Sequence, residues 1–156
     1  MIDEKGFRLN VAIILCNKEN KILLARRLKG NSWQFPQGGV STGETPTKTM
    51  YRELKEEIGL EEADVEIIKI SEKWIHYTLP KHLQRKPVDR VQCIGQKQKW
   101  FLLRLVGPES HINFHSTNHP EFNAWRWANY WDPIDEVIYF KRNVYRKVLE
   151  YFAKYL

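Results

Sequence analysis

The sequence predicts an α/β fold, an α/β/α sandwich in which helices cover both faces of a mixed β-sheet. Short apolar runs with the composition of β-strands alternate with two long amphipathic helical patterns, one central and one terminal. The length of 156 residues is typical of one domain with a substantial core. We therefore expect a single domain over residues 1–156.

Apolar stretches rich in β-branched residues mark the predicted strands. Segments 9–17 and 22–25 flank a turn-like sequence, which favours a hairpin. Farther along, segment 79–92 is rich in Pro, Lys and Arg and is expected to be an exposed loop. The remaining strand segments are 65–78, with a bend in its middle, 95–106, and 121–131, where Trp125 and Trp127 would share one face.

Both helical patterns have recognisable ends and an apolar stripe. Thr45 can cap the N-terminus of the central helix, and Pro46 fits its first position, where a missing N–H costs nothing. Gly59 suits the left-handed conformation that commonly ends a helix. The stripes expected to face the core are Met50, Leu54 and Ile58 in the central helix and Val144, Val148 and Phe152 in the terminal one, over 141–156.

The central helix carries three carboxylates, Glu53, Glu56 and Glu57, on one arc beside its apolar stripe. Their repulsion costs only ~0.2–0.5 kcal/mol per pair in water, so a solvated helix face is the plain interpretation. Two features favour a site instead. Arg52 stands at the edge of the arc, and a Gly-rich loop at 38–43 lets backbone approach a ligand closely. Clustered oxygen ligands beside open backbone suit Mg²⁺ or Mn²⁺.

Two other segments leave alternatives open. The aromatic and amide residues of 30–37 could line a nucleotide pocket or pack beneath the glycine loop. Three histidines have the spacing of metal ligands, but the Ser-Thr-Asn run at 116–118 and Pro120 argue against a helix that would align them. A metal site formed by His111, His115 and His119 is therefore not expected.

Charge and composition limit the classes of function. A net charge of +6 and a pI near 9.3 favour a polyanionic ligand, without separating RNA from free nucleotides. The acidic N-terminal segment has no apolar signal, and no apolar run approaches the ~20 residues of a membrane span. Cys16 and Cys93 are expected to be buried free thiols, as in a reducing compartment. These features predict a cytoplasmic protein that does not enter a membrane.

Segment 38–60 resembles the Nudix box, the pattern G-x5-E-x7-R-E-U-x-E-E-x-G-U in which U is apolar. The resemblance implies the Nudix α/β/α fold and a metal-dependent pyrophosphohydrolase that cleaves nucleoside diphosphates linked to another group. It also implies a site for two or more Mg²⁺ or Mn²⁺ ions. The pattern is matched at every fixed position: Gly38, Glu44, Arg52, Glu53, Leu54, Glu56, Glu57, Gly59 and Leu60.

The similarity extends over nearly the whole chain to bacterial Nudix enzymes that convert 5′-triphosphate RNA to 5′-monophosphate RNA. Besides the box, it is carried by MIDEKGFRLNV, SWQFPQGG, GQKQKWFLLRL, PEFNAWRWANYW and YFKRNVYRKV. It implies action on triphosphate or diphosphate RNA ends, with release of pyrophosphate or orthophosphate, in a step that promotes 5′-end-dependent mRNA decay. We expect a monomer, and the resemblance is compatible with an activating protein partner.

Two rival interpretations remain. A dinucleoside polyphosphate hydrolase would use the same box and the same mechanism. A non-catalytic RNA-binding module is less favoured, because a binding protein would not need every carboxylate of the box.

The resemblance also assigns roles position by position. Glu53 would be the general base, with Arg52 as a second catalytic residue. The implied metal site consists of Glu53, Glu56, Glu57 and Gly38 from the box and Glu121 from outside it. Arg8 and Arg27 would contact phosphates, and the residues around the leading nucleotides would be Ser32, Tyr77, Gln96, Lys99, Ile138, Phe140 and Lys141. Phe140 offers either a stacking face for a base or a core side chain.

Overall fold

The computed structural model describes residues 1–84 and 92–156. Within these ranges an eight-stranded mixed sheet lies between a long helix on each face, so the predicted α/β/α sandwich is confirmed. Short 3₁₀ turns lie at Glu62–Asp64, Lys81–Leu83, Glu109–His111 and Tyr139–Lys141. The elements are β1 (Phe7–Cys16), β2 (Ile22–Arg27), β3 (Trp33–Gln34), β4 (Gln37–Gly39), α1 (Pro46–Ile58), β5 (Val65–Ile70), β6 (Ile75–Thr78), β7 (Gly95–Leu105), β8 (Phe122–Ala128), α2 (Pro133–Glu136) and α3 (Arg142–Ala153).

Two long strands, β1 and β7, form the centre of the sheet. They pair in parallel over the whole of β1, from Phe7 opposite Gly95 to Cys16 opposite Arg104. All other pairings are antiparallel, and the main order is β3-β2-β1-β7-β5, with β4 beside β1, β6 beside β7 and β8 beside β2. The long apolar runs of β1 and β7 suit strands buried on both faces. The predicted β1–β2 hairpin is confirmed, and Asn20 takes a left-handed φ of 59° in its turn.

Alternate residues of β1 divide the core between the two helices. Val11, Ile13 and Leu15 belong to the core beneath α1, whereas Ala12, Ile14 and Cys16 belong to the core beneath α3. The predicted stripes of both helices are buried, as the periodicity indicated. They are Met50, Leu54 and Ile58 in α1 and Val144, Val148 and Phe152 in α3, where Tyr145 and Leu149 are buried beside them.

The ends of α1 are fixed as the sequence predicts. The Thr45 hydroxyl accepts a hydrogen bond from the backbone N–H of Lys48 at 3.3 Å, and Pro46 takes the first helical position. At the other end Gly59 has a φ of 76° and donates its N–H to the Lys55 carbonyl at 3.0 Å. These two caps fix the residues at which α1 begins and ends, and so help to determine where its acidic arc points.

The structure corrects one minor prediction and leaves part of another outside its range. Cys16 is fully buried, but Cys93 is only half-buried, because it lies near the edge of the sheet just before β7. Of the predicted loop over 79–92, Lys81–Leu83 forms a 3₁₀ turn, and 85–91 lies outside the described residues. Neither the length nor the apolar character of any helix in the described ranges would let it cross a lipid bilayer.

Candidate active site

The acidic arc of α1 forms a compact cluster against β4. One carboxylate oxygen from each of Glu53, Glu56 and Glu57 lies within 4.8 Å of the others. Glu53 and Glu57 are each only 8% exposed, so the interpretation as a solvated helix face is excluded for both. Gly38 makes this burial feasible, because a Cβ at that position would overlap the Glu53 carboxylate. The β4 backbone therefore lies directly against the cluster.

Arg52 holds the cluster in place. Its Nη1 donates to Glu53 at 2.8 Å and to Glu56 at 3.3 Å, while Nη2 donates to the Gly39 carbonyl at 3.0 Å. Its Nε donates to Glu44 at 2.9 Å, and these bonds to Arg52 hold the pKa of Glu44 at about 2. The guanidinium thus links the glycine loop to the helix and orients two of the three clustered carboxylates.

Burial disfavours the ionised form of the clustered carboxylates. Desolvation raises the pKa of Glu53 to about 7, against the opposing effect of Arg52, and raises the pKa of Glu57 to about 8. Glu121 and Glu56 add repulsion in both cases. Within the described part of the chain the buried Oε2 of Glu57 has no hydrogen-bond partner. An oxygen-preferring divalent cation would relieve both the repulsion and the missing bond, so these residues fit Mg²⁺ or Mn²⁺.

A cavity of about 890 Å³ opens beside the cluster. Three cationic side chains, Arg8, Arg27 and Lys141, share its wall. That arrangement suits a ligand with several negative charges. Of the residues assigned from the sequence, the wall contains Arg8, Arg27, Gly38, Tyr77, Gln96, Glu121, Phe140 and Lys141.

Three predicted contact residues are not brought to this wall. Lys99 alternates along β7 with Gln96 and Gln98, and its Nζ donates to the Glu72 carbonyl at 2.9 Å on the other face of the sheet. Ser32 lies beside the cavity, where its carbonyl accepts the Arg27 N–H at 2.9 Å. Ile138 is 41% exposed in the loop before α3. Their roles toward a substrate stay predictions.

Phe140 lies both at the core and at the cavity wall, and its stacking on a base stays a prediction. Its ring is half-buried, packs at the edge of the core beneath α3 and also lines the cavity, 6.1 Å from the Tyr77 ring. Next to it, Lys141 is only 6% exposed, and its Nζ lies 3.5 Å from the Gln34 side-chain oxygen. The sequence indicated a cation at 141 but not its burial.

Segment 30–37 divides between the core and the cavity wall, and its role toward a nucleotide stays a prediction. Phe35 packs in the core, with its ring 4.6 Å from the Tyr145 ring, whereas Gln34 and Gln37 line the cavity. Asn10 joins them on the wall and was not a candidate from the sequence. A polar residue at position 10 inside the apolar β1 was the signal available for it.

The three histidines lie within the described residues and none of them belongs to the acidic cluster there. The one cluster of potential metal ligands found there is the glutamate group. His111 instead places Nδ1 at 2.8 Å from the Asp64 carboxylate, beside the end of β7.

Comparison with known proteins defines the class. The NUDIX domain model matches residues 6–152, so the chain belongs to the NUDIX family. It is 54% identical over 158 residues to an RNA pyrophosphohydrolase of Francisella tularensis subsp. tularensis, covering 100% of this chain and 99% of that protein. An RNA pyrophosphohydrolase of Pseudoalteromonas translucida is 54% identical over 155 residues, covering 99% and 90%.

A solved structure agrees on the architecture. The E. coli dihydroneopterin triphosphate pyrophosphohydrolase superposes with a TM-score of 0.71 at 18% identity, covering 93% of this chain and 98% of that one. Identity at this level supports the fold alone.

Proposed function

We propose that this chain is a metal-dependent hydrolase that converts triphosphate or diphosphate 5′ ends of RNA to monophosphate ends. It would release pyrophosphate, or orthophosphate in successive steps, in the cytoplasm, and so promote 5′-end-dependent mRNA decay. The observation that carries the proposal is a buried carboxylate cluster beside a cavity with three cations, to which Gly38 connects it. It occurs in a chain that matches RNA pyrophosphohydrolases at 54% identity over its full length.

Glu53, Glu56 and Glu57, with Glu121 beside them, would hold two or more Mg²⁺ or Mn²⁺ ions. Bound divalent cations neutralise a polyphosphate and lower the pKa of a coordinated water. The support for this site is the desolvation that raises the pKa of Glu53 and Glu57, together with the unpartnered oxygen of Glu57.

Glu53 is the proposed general base. Its carboxylate is almost fully buried, is held by Arg52 at 2.8 Å and lies against the Gly38 backbone. Burial favours the protonated form of the acid, which makes the carboxylate a better proton acceptor from the attacking water. Arg52 acts on the reaction by holding Glu53 in the position from which it accepts that proton.

The other cavity residues would bind and align the substrate. Arg8, Arg27 and Lys141 would contact the phosphates, which keeps the scissile anhydride beside the glutamates for in-line attack. Phe140 and Tyr77 offer ring faces at the same wall for the first bases of the RNA.

The test compares turnover of a 5′-triphosphate oligoribonucleotide with that of a dinucleoside tetraphosphate under the same Mg²⁺ or Mn²⁺ conditions. We expect the higher kcat/KM for RNA, and complete loss of activity with a chelator. Glu53→Gln keeps the shape of the side chain and should lower kcat by at least ~10²-fold, the low end for a lost general base.

Glu150→Gln, an exposed acid on α3, is the matched control and should keep wild-type kcat. Circular dichroism should show that both variants fold. A preference for the dinucleotide would replace the proposed substrate, and near-normal kcat in Glu53→Gln would remove Glu53 from the mechanism.

A further inference from the structure

We propose that Gln37 and Asn10 are hydrogen-bond donors that orient phosphate oxygens in the cavity, and that the buried amide of Gln98 positions them. This inference rests on the proposed function and deepens it. It adds two neutral donors from two strands, held by an amide from a third strand, to the cations already described.

Gln98 holds the other two amides at their oxygen ends. It lies on β7, is 1% exposed, and its Nε2 donates to Asn10 Oδ1 at 2.9 Å and to Gln37 Oε1 at 3.2 Å. Asn10 belongs to β1 and Gln37 to β4, so one side-chain amide links three neighbouring strands.

These two bonds determine what Asn10 and Gln37 present to the cavity. A carboxamide has one acceptor end and one donor end. With both oxygens turned to Gln98, the NH₂ ends remain for a ligand, and both residues line the cavity, whereas Gln98 does not. The Gln37 NH₂ also donates to the Tyr77 hydroxyl oxygen at the same wall, which leaves its second N–H for a ligand.

The surroundings of Gln37 indicate which ligand these donors meet. The next residue, Gly38, lies against the Glu53 carboxylate. The one after it, Gly39, is close enough to Arg8 that an added Cβ would come within 2.8 Å of the guanidinium. Gln37 therefore precedes, on the same strand, the two residues that lie against the acidic cluster and Arg8, where an anhydride beside the cluster would direct its oxygens.

A purely structural link between strands would not require this composition. Along the same face of β7, Gln98 is followed by the apolar Trp100 and Leu102, both fully buried. A buried amide is costly unless it is hydrogen-bonded, so apolar residues at both 10 and 98 would suit the core as well. The amide of Gln98 is explained if it fixes the direction of the two donors, Asn10 and Gln37, at the cavity wall.

The experiment measures the Kd of inorganic tripolyphosphate for the metal-free protein by calorimetry, and kcat and KM for triphosphate RNA. Gln37→Met keeps length and removes the donor, and should raise both Kd and KM about tenfold or more, as for a hydrogen bond to a charged group. The value of kcat should stay within a few-fold. Gln98→Met should raise Kd several-fold although residue 98 does not touch the cavity.

The double variant separates positioning from packing. If Gln98 acts through Gln37, the fold-increase in Kd caused by Gln37→Met/Gln98→Met should be well below the product of the fold-increases caused by the two single substitutions. Asn143→Ala, on the exposed side of α3, is the control and should bind like the wild type. Gln37 is only half-buried, so Gln37→Met should fold even if Gln98→Met does not. In that case the Kd of Gln37→Met decides whether the inference holds.

A Kd for Gln37→Met within twofold of wild type would overturn the inference, and so would fully multiplicative effects of the two substitutions. Failure of the wild type to hydrolyse triphosphate RNA would instead count against the proposed function. In that case tripolyphosphate binding would still report on the donor set.

Discussion

Lys141 is a cation that the fold has taken out of water. Burial, together with the nearby positive charge of Arg27, lowers its pKa to about 8 against the opposing effect of Glu121. A lysine on the protein surface would stay charged to about pH 10. Here the charge is present below about pH 8 in the free protein and is lost above it. The proposed binding of phosphates in the cavity should therefore depend on pH through this residue.

We expect the KM for triphosphate RNA to rise between pH 7 and pH 9.5 as Lys141 loses its proton. Glu53 and Glu57 also titrate near this range, so the measurement is the difference between the wild type and Lys141→Met. The variant should have the higher KM at pH 7, because it lacks the cation, and the two proteins should converge at pH 9.5. If the ratio of the KM of Lys141→Met to that of the wild type stayed constant from pH 7 to pH 9.5, the pH dependence could not be assigned to Lys141.

At the scale of elements, the site is the contact between β4 and α1. The glycine loop joins them, Arg52 bonds both, and the caps of α1 determine which residues of the helix meet the strand. Gly38 is the point of closest approach. Its φ is not in the left-handed region, so the requirement for glycine is one of space and not of backbone conformation.

Gly38→Ala should lower kcat at least about tenfold, because the added methyl must displace the Glu53 carboxylate or the strand. The cost in stability should be about 1–3 kcal/mol, as for other overpacked sites. Calorimetry with Mn²⁺ should show weakened metal binding, and thermal unfolding measures the stability.

Gly43→Ala is the matched control in the same loop. Its φ of 80° means that a side chain introduces backbone strain, but nothing lies within 4 Å of the added Cβ. It should lose stability by about 1 kcal/mol and keep its kcat. Equal kcat in the two variants would show that the close approach at Gly38 does not matter for the chemistry.

At the scale of the whole molecule, the distribution of charge suits the binding of a polyanion. The net charge is +6 even though the acidic cluster is included in it. The cationic residues Arg8, Arg27 and Lys141 share the cavity next to that cluster. Long-range attraction would bring an RNA end to the cavity, and the cluster with its bound cations would then act on it.

The kcat/KM for triphosphate RNA should fall steeply as salt rises from about 50 to 200 mM, because bound phosphates release counterions. Arg8→Ala should lower kcat/KM and reduce the slope of its logarithm against log salt by about one, as for one lost phosphate contact. Arg146→Ala, an exposed cation on α3 outside the cavity wall, should leave the slope unchanged. Equal slopes in the wild type and Arg8→Ala would place the phosphate path elsewhere.

The sequence by itself determined the parts of this protein that depend on neighbours along the chain. Thr45, Pro46 and Gly59 predicted both ends of α1, and the spacing of Glu53, Glu56 and Glu57 predicted their cluster, because helix geometry relates residues a few positions apart. The Nudix pattern lies within the same helix and loop, so the sequence also identified the family. The apolar runs predicted the strands for the same local reason.

Only the tertiary structure decided which distant residues share the cavity. The direction of each strand residue depends on its alternation and on the register with its neighbours, so Gln96 lines the cavity whereas Lys99 lies on the other face. The parallel register of β1 and β7 puts Asn10 opposite Gln98. The burial of Lys141 likewise depends on α3 packing against the sheet. These contacts join residues far apart in the chain, and no local pattern specifies them.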